Sequence, residues 1–138
     1  MISKRCKYGI KALVYINRNG IKGQGVFSSE ISEKENIPKK FLETILRDLK
    51  NGQLLNSKRG SKGGYTLNRN PTEITLTEII RLMDGPIALM PCVSLKYYQS
   101  CDECKEETCC KIKSVFEKVR DATLDIYGAT SLEDLSKE

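Results

Sequence analysis

The 138-residue chain has 23 Lys and Arg against 18 Asp and Glu, 39% apolar residues and no His or Trp. Without imidazole there is no Ser-His or Cys-His couple and no metal centre with a histidine ligand. Residues 1–70 carry 15 basic against 5 acidic side chains, net +10, and residues 71–138 carry 8 against 13, net −5, which marks the first half as the one suited to a polyanion.

The first twenty residues, MISKRCKYGIKALVYINRNG, contain Lys4, Arg5, Lys7, Lys11 and Arg18. These charges leave neither a secretory leader nor a membrane span. A cytoplasmic protein without membrane contact is therefore expected, with its six cysteines in a reducing compartment. Cys6, Ile10, Leu13 and Ile16 recur at helical spacing and predict an amphipathic helix over 4–17, with Cys6 as a small buried residue. After the glycine-rich GIKGQG link, VFSSEISEKENI predicts a short helix capped by Ser28 or Ser29, with Ile31 inward. Pro38 suits the start of a third helix over 39–50. There Phe41, Leu42, Ile45, Leu46 and Leu49 make one apolar stripe, and Lys40, Glu43, Thr44 and Arg47 point the other way. Asn51-Gly52 offers a left-handed stop. Two such helices across a tight turn predict a helix-turn-helix.

The next stretch, NSKRGSKGGYTL, sets Lys58, Arg59 and Lys62 among Gly60, Gly63 and Gly64. A Walker-type phosphate loop needs a helix after Gly-Lys-Ser/Thr, whereas here a strand-like segment follows Lys-Gly-Gly. QLLNSK and GYTLNR read as two short strands, so the loop is a hairpin tip with glycines supplying positive φ. A basic hairpin directly after a helix-turn-helix is a wing, with its backbone close to phosphates and Arg59 able to reach a minor groove. Thr75 and Glu78 stand at capping-box spacing before a helix over 76–83, with Leu76, Ile79, Ile80 and Met83 inward.

Residues 92–110, CVSLKYYQSCDECKEETCC, hold five of the six cysteines. Thiolates favour zinc, copper(I) or an iron-sulfur cluster. Cys101 and Cys104 have the spacing of a chelating or dithiol turn, and Cys92 with Cys109 or Cys110 can complete three or four ligands. Structural zinc, a sensing iron-sulfur cluster and a metal-free thiol switch all remain open at this point. A thiol-disulfide oxidoreductase is disfavoured, because no βαβ pattern surrounds the pair and Asp102, Glu103, Glu106 and Glu107 should raise thiol pKa values. Ile112, Val115, Phe116, Val119, Ala122, Ile126 and Tyr127 then predict a long helix over 110–127 that pairs with its twin. TSLEDL predicts a short helix boxed by Thr130 and Glu133. The expected fold is mainly α with a small β-hairpin wing. It comprises a winged helix-turn-helix domain over 1–86, a cysteine-rich sensor or ligand loop over 87–110, and a dimerisation helix with a short final helix over 111–138.

KYGIKALVYI, IPKKFLETILRDLKNGQLLNSKRGSKGGYTLNRNP, ITLTEIIRLMDGP, the cysteines and TSLEDL together resemble the Rrf2 family of winged-helix transcriptional regulators over nearly the whole chain. The specific part is F-L-E-x-I-L-x-x-L followed by S-x-R-G-x-x-G-G-Y. The resemblance implies a homodimeric regulator, a repressor in kind and not an enzyme, on a partly palindromic operator in double-stranded DNA. By position, Pro38, Lys39, Lys40, Phe41 and Glu43 correspond to the groove-facing start of the reader helix. Ser57, Arg59, Gly60, Gly63, Gly64 and Tyr65 correspond to the wing. Adding Ser28, Thr44, Arg47, Lys58 and Lys62 completes the candidate DNA contacts. Cluster-bearing members hold a 2Fe-2S or 4Fe-4S centre with three cysteines, to which Cys92, Cys104 and Cys110 correspond. This chain departs in having a longer first spacing, additional Cys101 and Cys109, and Lys113 where a histidine ligand would stand. Beside the three cysteines that the resemblance implies, a cluster held by Cys92, Cys101, Cys104 and Cys110, with Cys109 as substitute, is chemically sensible for this chain, and a regulator with zinc or no metal is the alternative.

Overall fold

The computed structural model describes residues 1–137. Helix α1 (Lys4–Asn19) starts at Ser3, whose hydroxyl accepts the Cys6 N–H, and it buries Cys6, Gly9, Ala12, Leu13 and Ile16. Ile10, expected inward, is only half-buried. Helices α2 (Ser28–Glu35) and α3 (Lys39–Asn51) are joined by a turn in which Asn36 is left-handed, φ 53. They bury Ile31 from one side and Leu42, Ile45, Leu46 and Leu49 from the other. Removing each such side chain from water stabilises the fold by about 1.5–3 kcal/mol.

Three local expectations change here. Ser28 is the first helical residue rather than a cap: Phe27 holds the cap position with no side-chain hydrogen bond. The reason lies just upstream, where Val26 exchanges backbone hydrogen bonds of 2.9 and 2.8 Å with Tyr65 and keeps the chain extended up to the helix. Phe41 is not core but 36% exposed, standing edge-on to the Tyr8 ring with centroids 5.7 Å apart. At the end of α3 the left-handed residue is Gln53, φ 64, while Gly52 has φ −78. Gly52 instead faces the end of the Leu82 side chain, which a Cβ there would push aside.

Strands β1 (Leu55–Lys58) and β2 (Gly64–Leu67) pair antiparallel, Leu55 with Leu67 and Lys58 with Gly64. Helix α4 (Leu76–Asp84) is capped by the Thr75 hydroxyl, which accepts the Glu78 N–H at 3.3 Å. The Glu78 carboxylate leaves the box open and pairs instead with Arg69 at 2.5 Å. Two short 3-10 turns, Pro91–Val93 and Glu107–Cys109, bracket the cysteine segment before α5 (Lys111–Ala129). The last helix, α6 (Leu132–Leu135), is boxed by Ser131 and Asp134, one register later than the Thr130 and Glu133 expected. Pairing of Leu76 N–H with Thr130 O and of Leu132 N–H with Ile74 O fixes that register. Leu132 is fully buried in the core of the first 86 residues, so the chain's end closes the winged domain instead of extending the long helix.

Candidate nucleic-acid interface and thiol segment

The outward side of α3 is set by the depth of its stripe. With Leu42, Ile45, Leu46 and Leu49 sealed inside, helical period leaves Lys39, Lys40, Glu43, Thr44 and Arg47 exposed, with Pro38 exposed just before them. Lys50 lies one turn beyond Arg47 on the same exposed face; it is not among the contacts expected from the sequence, although its spacing from Arg47 marks it. The Thr44 hydroxyl donates to Lys40 O at 3.3 Å, leaving its methyl and oxygen lone pairs outward.

On the wing, Ser57, Lys58, Arg59, Gly60 and Lys62 are exposed. Gly60 and Gly64 do have positive φ, 104 and 103. Gly63 differs from expectation: it is buried, its N–H donates to Gly60 O at 2.9 Å, and a Cβ would run into the Lys58 carbonyl. It shapes the turn and cannot face a phosphate. Gly64 and Tyr65 are half-buried where β2 meets Val26, so they fix the angle between the wing and the helix-turn-helix. That third pairing was hidden in the glycine-rich link, where Val26 stands alone without strand periodicity.

Among the described residues, ion pairing leaves every basic residue of this face free, as it does several elsewhere, and what distinguishes the face is how closely its cations are grouped along α3 and the wing. Arg5, Lys11, Arg69, Lys113, Arg120 and Lys137 are each ion-paired within the chain. Among the described residues Lys39, Lys40, Arg47, Lys50, Lys58, Arg59 and Lys62 are not. Unneutralised cations on a convex helix and an adjacent hairpin are the donors that phosphate contact requires. Behind them, Arg5 donates to Asp48 Oδ2 of α3 at 2.6 Å and to the Met83 carbonyl, tying α3 to the end of α4.

In the thiol segment, Cys92, Cys101, Cys104 and Cys110 are half-buried and Cys109 is exposed. The Cys104 thiol is pushed up to about 11 by hydrogen bonding with Cys101, then by desolvation, with a smaller part from Cys110. Cys110 moves the other way, chiefly because the Lys113 N–H points at its sulfur, 3.4 Å away, at the N-terminus of α5. The expectation that the acidic side chains would govern these thiols is corrected by where the carboxylates go. Glu107 accepts from Tyr98 Oη at 2.6 Å, Cys101 N at 2.7 Å and Lys113 Nζ at 2.9 Å, which hold its carboxyl down to about 2, Tyr98 first. Glu106 accepts from Cys109 Sγ at 3.6 Å. Among the described residues no three His, Cys, Asp or Glu side chains stand together in a ligating array. Cys104 does interact with both Cys101 and Cys110, and thiolates are the ligand type that zinc, copper(I) and iron-sulfur clusters favour. Cys92 lies on the neighbouring turn, whose Val93 carbonyl accepts from Arg120 of α5 at 2.7 Å.

A helix-turn-helix with an attached basic wing defines a winged-helix DNA-binding protein. Comparison agrees. Residues 2–138 match the family Rrf2, described as an iron-dependent transcriptional regulator. An Rrf2-like helix-turn-helix regulator of Rhodobacter capsulatus is 38% identical over 137 residues, covering 98% of this chain and 91% of the relative. The solved structure of CymR, the global cysteine regulator of B. subtilis, superimposes with a TM-score of 0.80 at 26% identity, covering 99% of this chain and 95% of that one. The IscR structure from T. potens gives 0.74 at 28% identity, covering 99% and 86%. The chain therefore belongs to the Rrf2 family, and it is a transcriptional regulator rather than an enzyme. Among the described residues no helix is long and apolar enough to cross a membrane.

Proposed function

We propose that two copies of this chain bind a partly palindromic DNA operator in the cytoplasm and that the thiol segment sets their affinity. In this reading α3 lies in the major groove, offering Pro38, Lys39, Lys40, Glu43, Thr44 and Arg47, with Phe41 and Ser28 at its edge. The wing lies on the minor groove through Ser57, Lys58, Arg59, Gly60 and Lys62. The carrying observation is the grouping of exposed cations, none of them ion-paired among the described residues, on the outward side of α3 and on the wing that follows it. Substituting Arg59→Ala should weaken duplex binding at least tenfold in a gel-shift titration, while Arg69→Ala, already neutralised by Glu78 at 2.5 Å, should leave it within twofold. Equal losses for both variants would refute the assignment.

Dimerisation is supported by α5, none of whose residues is buried. Ile112, Val115, Val119 and Ile126 are 60, 56, 40 and 65% exposed, a solvent-facing apolar stripe that a second copy would cover. Cys92, Cys101, Cys104 and Cys110 would hold an iron-sulfur centre, or zinc in the structural variant. An iron-sulfur group would supply a redox-dependent charge and shape at the start of α5. The chain's own part is mechanical: Arg120 grips the Cys92 turn and Glu107 knots Cys101 to Lys113, so rearranging the thiols bears on the helix that sets the spacing of two reading heads. Anaerobic purification with iron, sulfide and zinc analysis decides among cluster, zinc and thiol-only forms.

A further inference from the structure

We propose that the cleft between the 20–25 link and the flank of the wing binds a small organic anion with an apolar body, and that filling it weakens DNA binding; the second part rests on the duplex reading above. The cleft measures about 670 Å³, within the roughly 300–1,000 Å³ typical of small-molecule sites. Ile16, Ile21 and Leu67 give it an apolar lining, and Lys22, Lys58 and Lys62 stand around it. No Asp or Glu lines it, and none of the three lysines is ion-paired among the described residues.

The shape of this lining is imposed by backbone. Ile21 is 68% exposed, yet it sits on a loop closed by the Gln24 N–H to Ile21 O hydrogen bond of 2.9 Å and followed by the Val26–Tyr65 pairing. Gly25 lets that loop press on the wing, since a Cβ would stand 2.6 Å from Gly63 O. An apolar side chain is thus held open to solvent beside three like charges, an arrangement satisfied by a ligand with both an anionic end and an apolar end. Inorganic phosphate would leave the apolar lining wet. A duplex backbone would meet the lysines without entering the recess. Lys58 and Lys62 also belong to the proposed DNA face, so ligand and duplex compete for them, and each must lower the other's affinity by the same factor.

The test uses the full chain with phenyl phosphate as probe. In ¹⁵N–¹H correlation spectra, saturable shifts should be confined to the lining, residues 16–17, 20–25, 56–58, 62 and 66–67. Inorganic phosphate and benzyl alcohol should each bind at least tenfold more weakly, and Lys22→Glu should weaken phenyl phosphate at least tenfold. Saturating phenyl phosphate should lower wild-type duplex affinity at least fivefold and flatten its salt dependence by roughly 0.9 for each lysine drawn away from a DNA phosphate, with no such effect on Lys22→Glu. Shifts elsewhere, or equal binding of inorganic phosphate, would overturn the site. A loss of duplex affinity in Lys22→Glu without probe, as large as in Lys58→Glu, would make the cleft a DNA-backbone contact and overturn it too. Binding in the cleft with unchanged duplex affinity would overturn the coupling. A wild-type chain that ignores duplex altogether would refute the DNA reading while the spectra still decide the site.

Discussion

At Gly64 the backbone takes φ 103 and an added Cβ would stand 2.6 Å from Val26 O, whereas at Gly60 φ is 104 and the same Cβ would meet nothing within 4 Å. The two glycines therefore separate conformational strain from steric overlap. Gly60→Ala should cost only the strain of a positive φ, about 1–2 kcal/mol, while Gly64→Ala adds collision with a paired backbone and should cost at least about 3 kcal/mol. Urea denaturation of both variants measures the difference, and equal costs would show that Val26 does not pin the wing. Cys6 illustrates a side chain whose chemistry is suppressed by place. Fully buried on the inner face of α1, its thiol is pushed up to about 11, first by desolvation and then by the nearby Asp84 carboxylate, so it packs as a small apolar residue and stays apart from the cysteine segment.

Among elements, α6 is the one whose attachment depends most visibly on charge. Asp134 accepts from the Ser131 N–H at 2.9 Å and hydroxyl at 2.8 Å, and Lys137 pairs with it at 3.3 Å, which brings its carboxyl down to about 2, the Ser131 backbone first. A depressed carboxyl contributes stability above its unfolded pKa, near 4, and that contribution is lost as pH falls through the folded value. The stability gap between wild type and Asp134→Ala should accordingly be constant above about pH 5 and close between about pH 4 and 2, as read from urea midpoints; a gap unchanged at pH 2.5 would contradict the box. The same helix marks where the sequence stops being legible. Stripes such as Leu42, Ile45, Leu46 and Leu49 announce their helix because burial imposes a period, and the wing's Gly60 and Gly64 announce their turn because only glycine takes that φ cheaply. Thr130 and Ser131 are both good caps, and only pairing with residues 74 and 76, more than fifty positions away, chooses Ser131. Phe41 fits the α3 stripe by spacing and is left outside because Tyr8 of another helix receives it. The pairing of Val26 with Tyr65 has no local signature at all.

For the whole molecule the decisive quantity is how many reading heads act together. If each protomer contributes three or four phosphate contacts, a dimer should show a slope of log K against log salt of about −5 to −7, because each neutralised phosphate releases roughly 0.9 of a counterion. The open side of α5 supplies the means of checking that the two heads are joined there. Val115 and Ile126 are 56 and 65% exposed within one chain, so replacing both with Asp leaves the protomer's own core intact. It places two charges in the centre of any paired surface, where burial without a partner costs several kcal/mol. If the proposed dimer forms through α5, Val115→Asp/Ile126→Asp should keep the wild-type circular dichroism, sediment as a monomer while the wild type sediments as a dimer, lose at least a hundredfold in operator affinity, and show a salt slope near half the wild-type value. Each readout answers a different objection: dichroism reports the fold, sedimentation the assembly, and the slope the number of phosphates engaged. A variant that stays dimeric would move the interface off α5, and a monomer that binds with an undiminished slope would mean that one winged domain engages every phosphate by itself.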